Sequence, residues 1–147
     1  MSAPVADLQV TQGTQHGGAL DRLRGAAGLV HLSLAVLIVL AVFAQVYLIG
    51  AYIFGAGEGA LEAHASVGWS THTAEVVLFL MALMAWLPRT DLILSFALVA
   101  IGTVQVILAG SVEWVGGLHP LFALVVLITA AALAHRGLRR RRAGSRS

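Results

Sequence analysis

The chain alternates long apolar blocks with short polar breaks. Four blocks stand out, covering about 26–54, 67–87, 92–111 and 118–135. A helix crosses a bilayer with ~20 apolar residues, and only helices or closed barrels satisfy their backbone groups in hydrocarbon. The pattern therefore predicts an all-α integral membrane domain over 25–136, a four-helix up-down-up-down bundle. The first block is longer than one crossing needs, so part of it tilts or projects. Residues 1–24 are polar, rich in Gln, Gly and Thr, and lack the apolar centre of a signal peptide, so they read as a disordered tail. Residues 137–147 read as a basic tail.

The polar positions inside the blocks repeat. Gln45 is followed five residues later by Gly50, and His64 stands near the start of the next block. Gln105, Gly110 and His119 do the same in the second half. Polar groups in hydrocarbon are costly unless paired, so the repeat points to two helical hairpins sharing one polar site. In an up-down bundle, helices 2 and 4 are diagonal and parallel. His64 and His119 then begin them at matched depth and face each other, with the two glutamines on the other diagonal. His64, Gly68, Thr71 and Glu75 share one stripe of helix 2, with His72 beside it. The opposite half of the bundle reads as apolar apart from Ser33, Ser95 and Thr129. His31 and His135, beside arginines, read as solvated interfacial residues.

Composition and charge sharpen the class. The 147 residues are 59% hydrophobic and 11% charged, with no cysteine. That excludes disulfides, thiolate catalysis and cysteine metal sites. No catalytic constellation and no phosphate-binding glycine loop is visible, so enzymatic activity is not the expectation. Basic residues flank alternate ends of the blocks: Arg22 and Arg24, then Arg89, then the run from Arg136 to Arg142 and Arg146. The intervening loops carry Glu58, Glu62 and Glu113 instead. This asymmetry predicts a bacterial inner-membrane protein with both termini cytoplasmic. It reads the C-terminal arginines as an anchor to anionic lipid, not as a nucleic-acid site. Trp69 and Trp114 fall at the outer interface and Trp86 at the inner one. A homo-oligomer or a membrane-protein partner is compatible with this layout.

Two facing imidazoles in an apolar bundle suit a bis-histidine site for haem b. His64 and His119 are the candidate iron ligands. Gln45, Gln105 or a backbone carbonyl would hold each ring's other nitrogen, and His72 is a further candidate contact to the cofactor. Glycines 50, 68 and 110 would make room for the ring. Two other readings use the same residues. The glutamines and histidines can serve as interhelical glue in a structural or assembly subunit, at ~0.6–2 kcal/mol per bond. Alternatively, Glu75 with His72 forms a proton-relay or quinone-linked site, or Glu75 is protonated and bonded to Gln105 or His72.

The segments Gln45 to Gly50, His64-Ala-Ser-Val-Gly68-Trp69, Val104-Gln105 to Gly110 and Leu118-His119-Pro120-Leu121 resemble a family of small four-helix bacterial membrane proteins. That family is common in actinobacteria and catalogued as a domain of unknown function. The resemblance covers roughly 26–135. It implies a glutamine in helices 1 and 3, a His-x-x-x-Gly start to helix 2 and a Leu-His start to helix 4. Phe122 stands where members often carry Asn. More distantly, the layout is similar to one half of haem A synthase and to four-helix b-type cytochromes, which implies histidines on facing helices holding haem.

Overall fold

The computed structural model describes the backbone of residues 5–111 and 113–145, and among these the side chains of 18–111 and 114–145. Glu113 and Arg146 of the charge pattern lie outside the described side chains. The elements are α1 (Val5–Ile53), α2 (Glu58–Met84), α3 (Arg89–Ala109), the single turn α4 (Glu113–Gly116) and α5 (His119–Gly144). Four of these helices are long and apolar enough to cross a membrane. α1 packs on α2 and α5, and α3 packs on the same two. That leaves α1 and α3 on one diagonal of a four-helix bundle, and α2 and α5 on the other.

Local sequence explains where the helices stop. α1 ends in a left-handed turn at Gly55, φ +93°. There Gly55 N–H reaches Tyr52 O at 3.0 Å, and Ala56 N–H reaches Ala51 O at 2.9 Å. This pair of bonds is a Schellman closure, whose left-handed position glycine fills without a steric penalty. α2 closes the same way, with Trp86 N–H to Leu83 O and Leu87 N–H to Ala82 O, both 3.1 Å. Here the left-handed position is Trp86, φ 52°, and the Arg24 guanidinium lies over its ring at 4.6 Å. Pro88 follows and caps α3. Pro120 occupies the first turn of α5, where its missing N–H costs nothing.

Three boundaries depart from the sequence expectation. α1 starts at Val5, where the sequence expectation placed the first helix at about 26. No proline interrupts 5–53, and extending an established helix adds a hydrogen bond per residue fixed. α2 begins at Glu58, nine residues before the apolar block, because Ala60 and Ala63 favour helix and Glu58 sits at the positive end of the helix dipole. α5 runs on to Gly144 through the basic segment. Arginine is a good helix former, and Arg141 and Arg142 sit at the negative end of the helix dipole.

The repeat seen at Gln45 and Gln105 extends through the whole bundle. With an offset of 60, the buried positions His31, Ala35, Ile38 and Val42 of α1 match Asp91, Ser95, Leu98 and Gly102 of α3. With an offset of 55, Thr71, Glu75, Leu78 and Ala82 of α2 match Val126, Ala130, Leu133 and Gly137 of α5. The two hairpins thus bury the same register. At its middle lies a layer of Ile38, Leu78, Leu98 and Leu133, one from each long helix and none more than 1% exposed. Polar groups lie on either side of it, at a histidine end and an arginine end.

Candidate functional site

The histidine end is built twice from the same parts. His64 Nδ1–H donates to the backbone carbonyl of Gln45 at 3.1 Å. His119 Nδ1–H donates to the backbone carbonyl of Gln105, also at 3.1 Å. A carbonyl can only accept, so each bond places the proton on Nδ1 and leaves Nε2 with its lone pair when the ring is neutral. The two rings come together across the α2–α5 diagonal, centroids 6.1 Å apart and planes inclined by 65°. The glutamines thus hold the histidines through their backbone, the carbonyl option among the sequence expectations. The Gln45 side chain lies against Gly68, where an added Cβ would sit 3.1 Å from its Nε2. Gly68 therefore makes room for a glutamine. Gly50 has nothing within 4 Å of an added Cβ, and at Gly110 the nearest atom is 3.9 Å away. Gln105 Oε1 is buried without a hydrogen-bond partner among the described residues.

Further along α2, His72 Nδ1 and Glu75 Oε2 share a hydrogen bond of 3.0 Å. Glu75 is 1% exposed and the His72 side chain 20%. The pair fits because α3 presents Gly102 there. A Cβ on Gly102 would stand 1.7 Å from Glu75 Oε2 and 2.9 Å from His72 Nδ1. Sequence reasoning found the pair but missed Gly102, whose role depends on how closely α3 approaches α2.

At the arginine end the structure departs from the sequence expectation. His31 is not solvated: it is 0% exposed, and its Nε2 hydrogen-bonds Ser95 Oγ at 3.0 Å. Its Nδ1 is buried without a partner among the described residues. Asp91, which the sequence reading passed over, is also 0% exposed. It accepts hydrogen bonds from Arg136 Nε and Arg140 Nη1. Two of the C-terminal arginines therefore reach from α5 to a buried carboxylate of α3. Ser33 is exposed, and the Thr129 hydroxyl donates to Val125 O of its own helix at 2.8 Å. Neither contributes to the interior. His135 is exposed, as expected.

The fold and its ends define a multi-pass helical membrane bundle with paired histidines at one end and a buried ion cluster at the other. No protein-family model, curated protein or solved structure matches the chain.

Proposed function

We propose that this is an inner-membrane b-type cytochrome-like subunit, with His64 and His119 as the two axial ligands of a haem that carries single electrons. The observation that carries the reading is the geometry of the histidine pair. Two metal–nitrogen bonds of roughly 2 Å, laid along the ring axes, separate imidazole centroids by about 6.3 Å. The observed separation is 6.1 Å. Both Nδ1 atoms are held by carbonyls, the arrangement that orients a ligating imidazole and raises its basicity. A bis-histidine haem site needs only these two imidazoles from the chain, the porphyrin supplying the other four ligands. Haem supplies one-electron chemistry. The chain supplies the ligands, their tautomer and the apolar surroundings.

The charge pattern supports an up-down-up-down arrangement with the arginine end cytoplasmic and the histidine end at the outer leaflet. The exposed arginines beyond Arg140 are then placed to meet anionic lipid.

The test is the visible spectrum of protein purified from haem-replete membranes, oxidised and dithionite-reduced. Soret and α bands are expected in the wild type and in His135→Ala, and are lost in His64→Ala and in His119→Ala. A colourless wild-type protein sinks the reading. It leaves the glutamines and histidines as glue in a structural or assembly subunit.

A further inference from the structure

Among the described residues, Glu75 is the one buried titratable side chain at the histidine end that the haem reading does not use. Packing does not require it. The repeat places Ala130 where α2 has Glu75, and Val42 where α3 has Gly102. Val42 and Ala130 both lie in the apolar core. The molecule therefore carries an apolar version of the same position, and a buried carboxyl is harder to stabilise than that version. The polar contact of Glu75 is also on one side. Leu78, one turn along α2, belongs to the closed apolar layer with Ile38, Leu98 and Leu133. In the other direction lies His72, hydrogen-bonded to Glu75 at 3.0 Å and partly exposed.

We infer that delivery of an electron to the haem draws a proton onto Glu75 from the outer face through His72, and that oxidation returns it outward. The inference rests on the haem reading. A one-electron donor, such as a reduced mediator dye, supplies the electron. One O–H bond forms on the Glu75 carboxylate and one bond to hydrogen breaks at a water on the outer side. Each proton bound offsets the charge of an added electron, which is the electrostatic reason for the coupling.

The surroundings of Glu75 hold few competing groups. α3 carries no titratable side chain from Leu98 to Ala109, only Gln105 as a neutral neighbour. Beyond Ile38, α1 carries only Tyr47 and Tyr52. α2 adds His64, His72, Glu58 and Glu62, and α5, on the diagonal, adds His119. His31, Asp91, Arg136 and Arg140 lie beyond the apolar layer. Glu75 is eleven residues from His64, about 16 Å along α2. At that range one added electron tightens proton binding by up to roughly tenfold. A tenfold change corresponds to about 59 mV for a one-electron couple.

The experiment is a redox titration of the α band in proteoliposomes of known orientation, with internal and external pH set separately. The wild-type midpoint should fall by up to about 59 mV as external pH rises through the working range, and should ignore internal pH. Glu75→Gln should keep its Soret band and lose this dependence. Redox-difference infrared spectra should contain a carboxyl C=O band that is missing in the variant. A protein without haem overturns the parent reading and this inference together. A haem-containing wild type with a pH-independent midpoint overturns the inference alone, whether or not the variant folds. A response to internal pH overturns its one-sidedness.

Discussion

The sharpest mechanical test of this bundle is Gly102→Ala. The added methyl would sit 1.7 Å from Glu75 Oε2 and 2.6 Å from its Cδ, so the carboxyl must leave its place. It cannot move into the adjacent layer, where Leu78 and Leu98 are fully buried. Displacing it breaks the 3.0 Å bond to His72. Losing the partner of a buried polar group costs about 1–3 kcal/mol, and overpacking a tight core costs about 1–3 kcal/mol. Gly102→Ala should therefore destabilise by about 2–6 kcal/mol. The double variant Gly102→Ala with Glu75→Ala removes the collision and recreates the small-residue packing that Ala130 already uses in the other half. It should recover most of the loss. The assay is a double-mutant cycle of unfolding in mixed micelles, titrated with a denaturing detergent. The expected coupling is about 2 kcal/mol or more, well beyond the ~0.5 kcal/mol of independent sites. Additive losses would refute the close approach of α3 to α2 at this level.

Asp91→Ala should destabilise by about 2–4 kcal/mol, since charge-assisted bonds to two arginines are lost. The cost stays below that of a fully buried pair because Arg136 and Arg140 are 39% and 33% exposed and regain water; the same micellar unfolding assay measures it, and a loss under ~0.5 kcal/mol would contradict the ion cluster. Ser95→Ala strips His31 of its one hydrogen bond and should cost about 1–3 kcal/mol. Adding His31→Leu should return most of that, and a double variant no better than the single one would count against a buried His31–Ser95 pair.

Much of the architecture was legible in the chain. Block lengths and the ban on unpaired backbone in hydrocarbon dictate four membrane-length helices, and the short connections dictate their sequential packing. The spacing of Gln45, Gln105, His64 and His119 was enough to expect a matched pair of imidazoles, because helix register converts sequence position into depth. Asp91 escaped notice although it stands fourteen residues before Gln105, just as His31 stands fourteen before Gln45. Near a helix end, a charged residue and a histidine look like interfacial residues until burial is known. The arginine run was legible as charge, but not its pairing: charge at a helix end is normally solvated, and only the α5 face turned toward α3 brings Arg136 and Arg140 onto a carboxylate.

The sequence by itself determined the helices, their order and the duplicated polar pattern, because these depend on local hydrophobic length and periodicity. Tertiary structure decided which atoms do the holding. It put the backbone carbonyls of Gln45 and Gln105 on the imidazoles, chose Gly102 as the seat for Glu75 and His72, and closed an apolar layer between the two polar ends. Those outcomes depend on how closely neighbouring helices approach and how they are rotated. Periodicity fixes a face of a helix but not the distance to its neighbour.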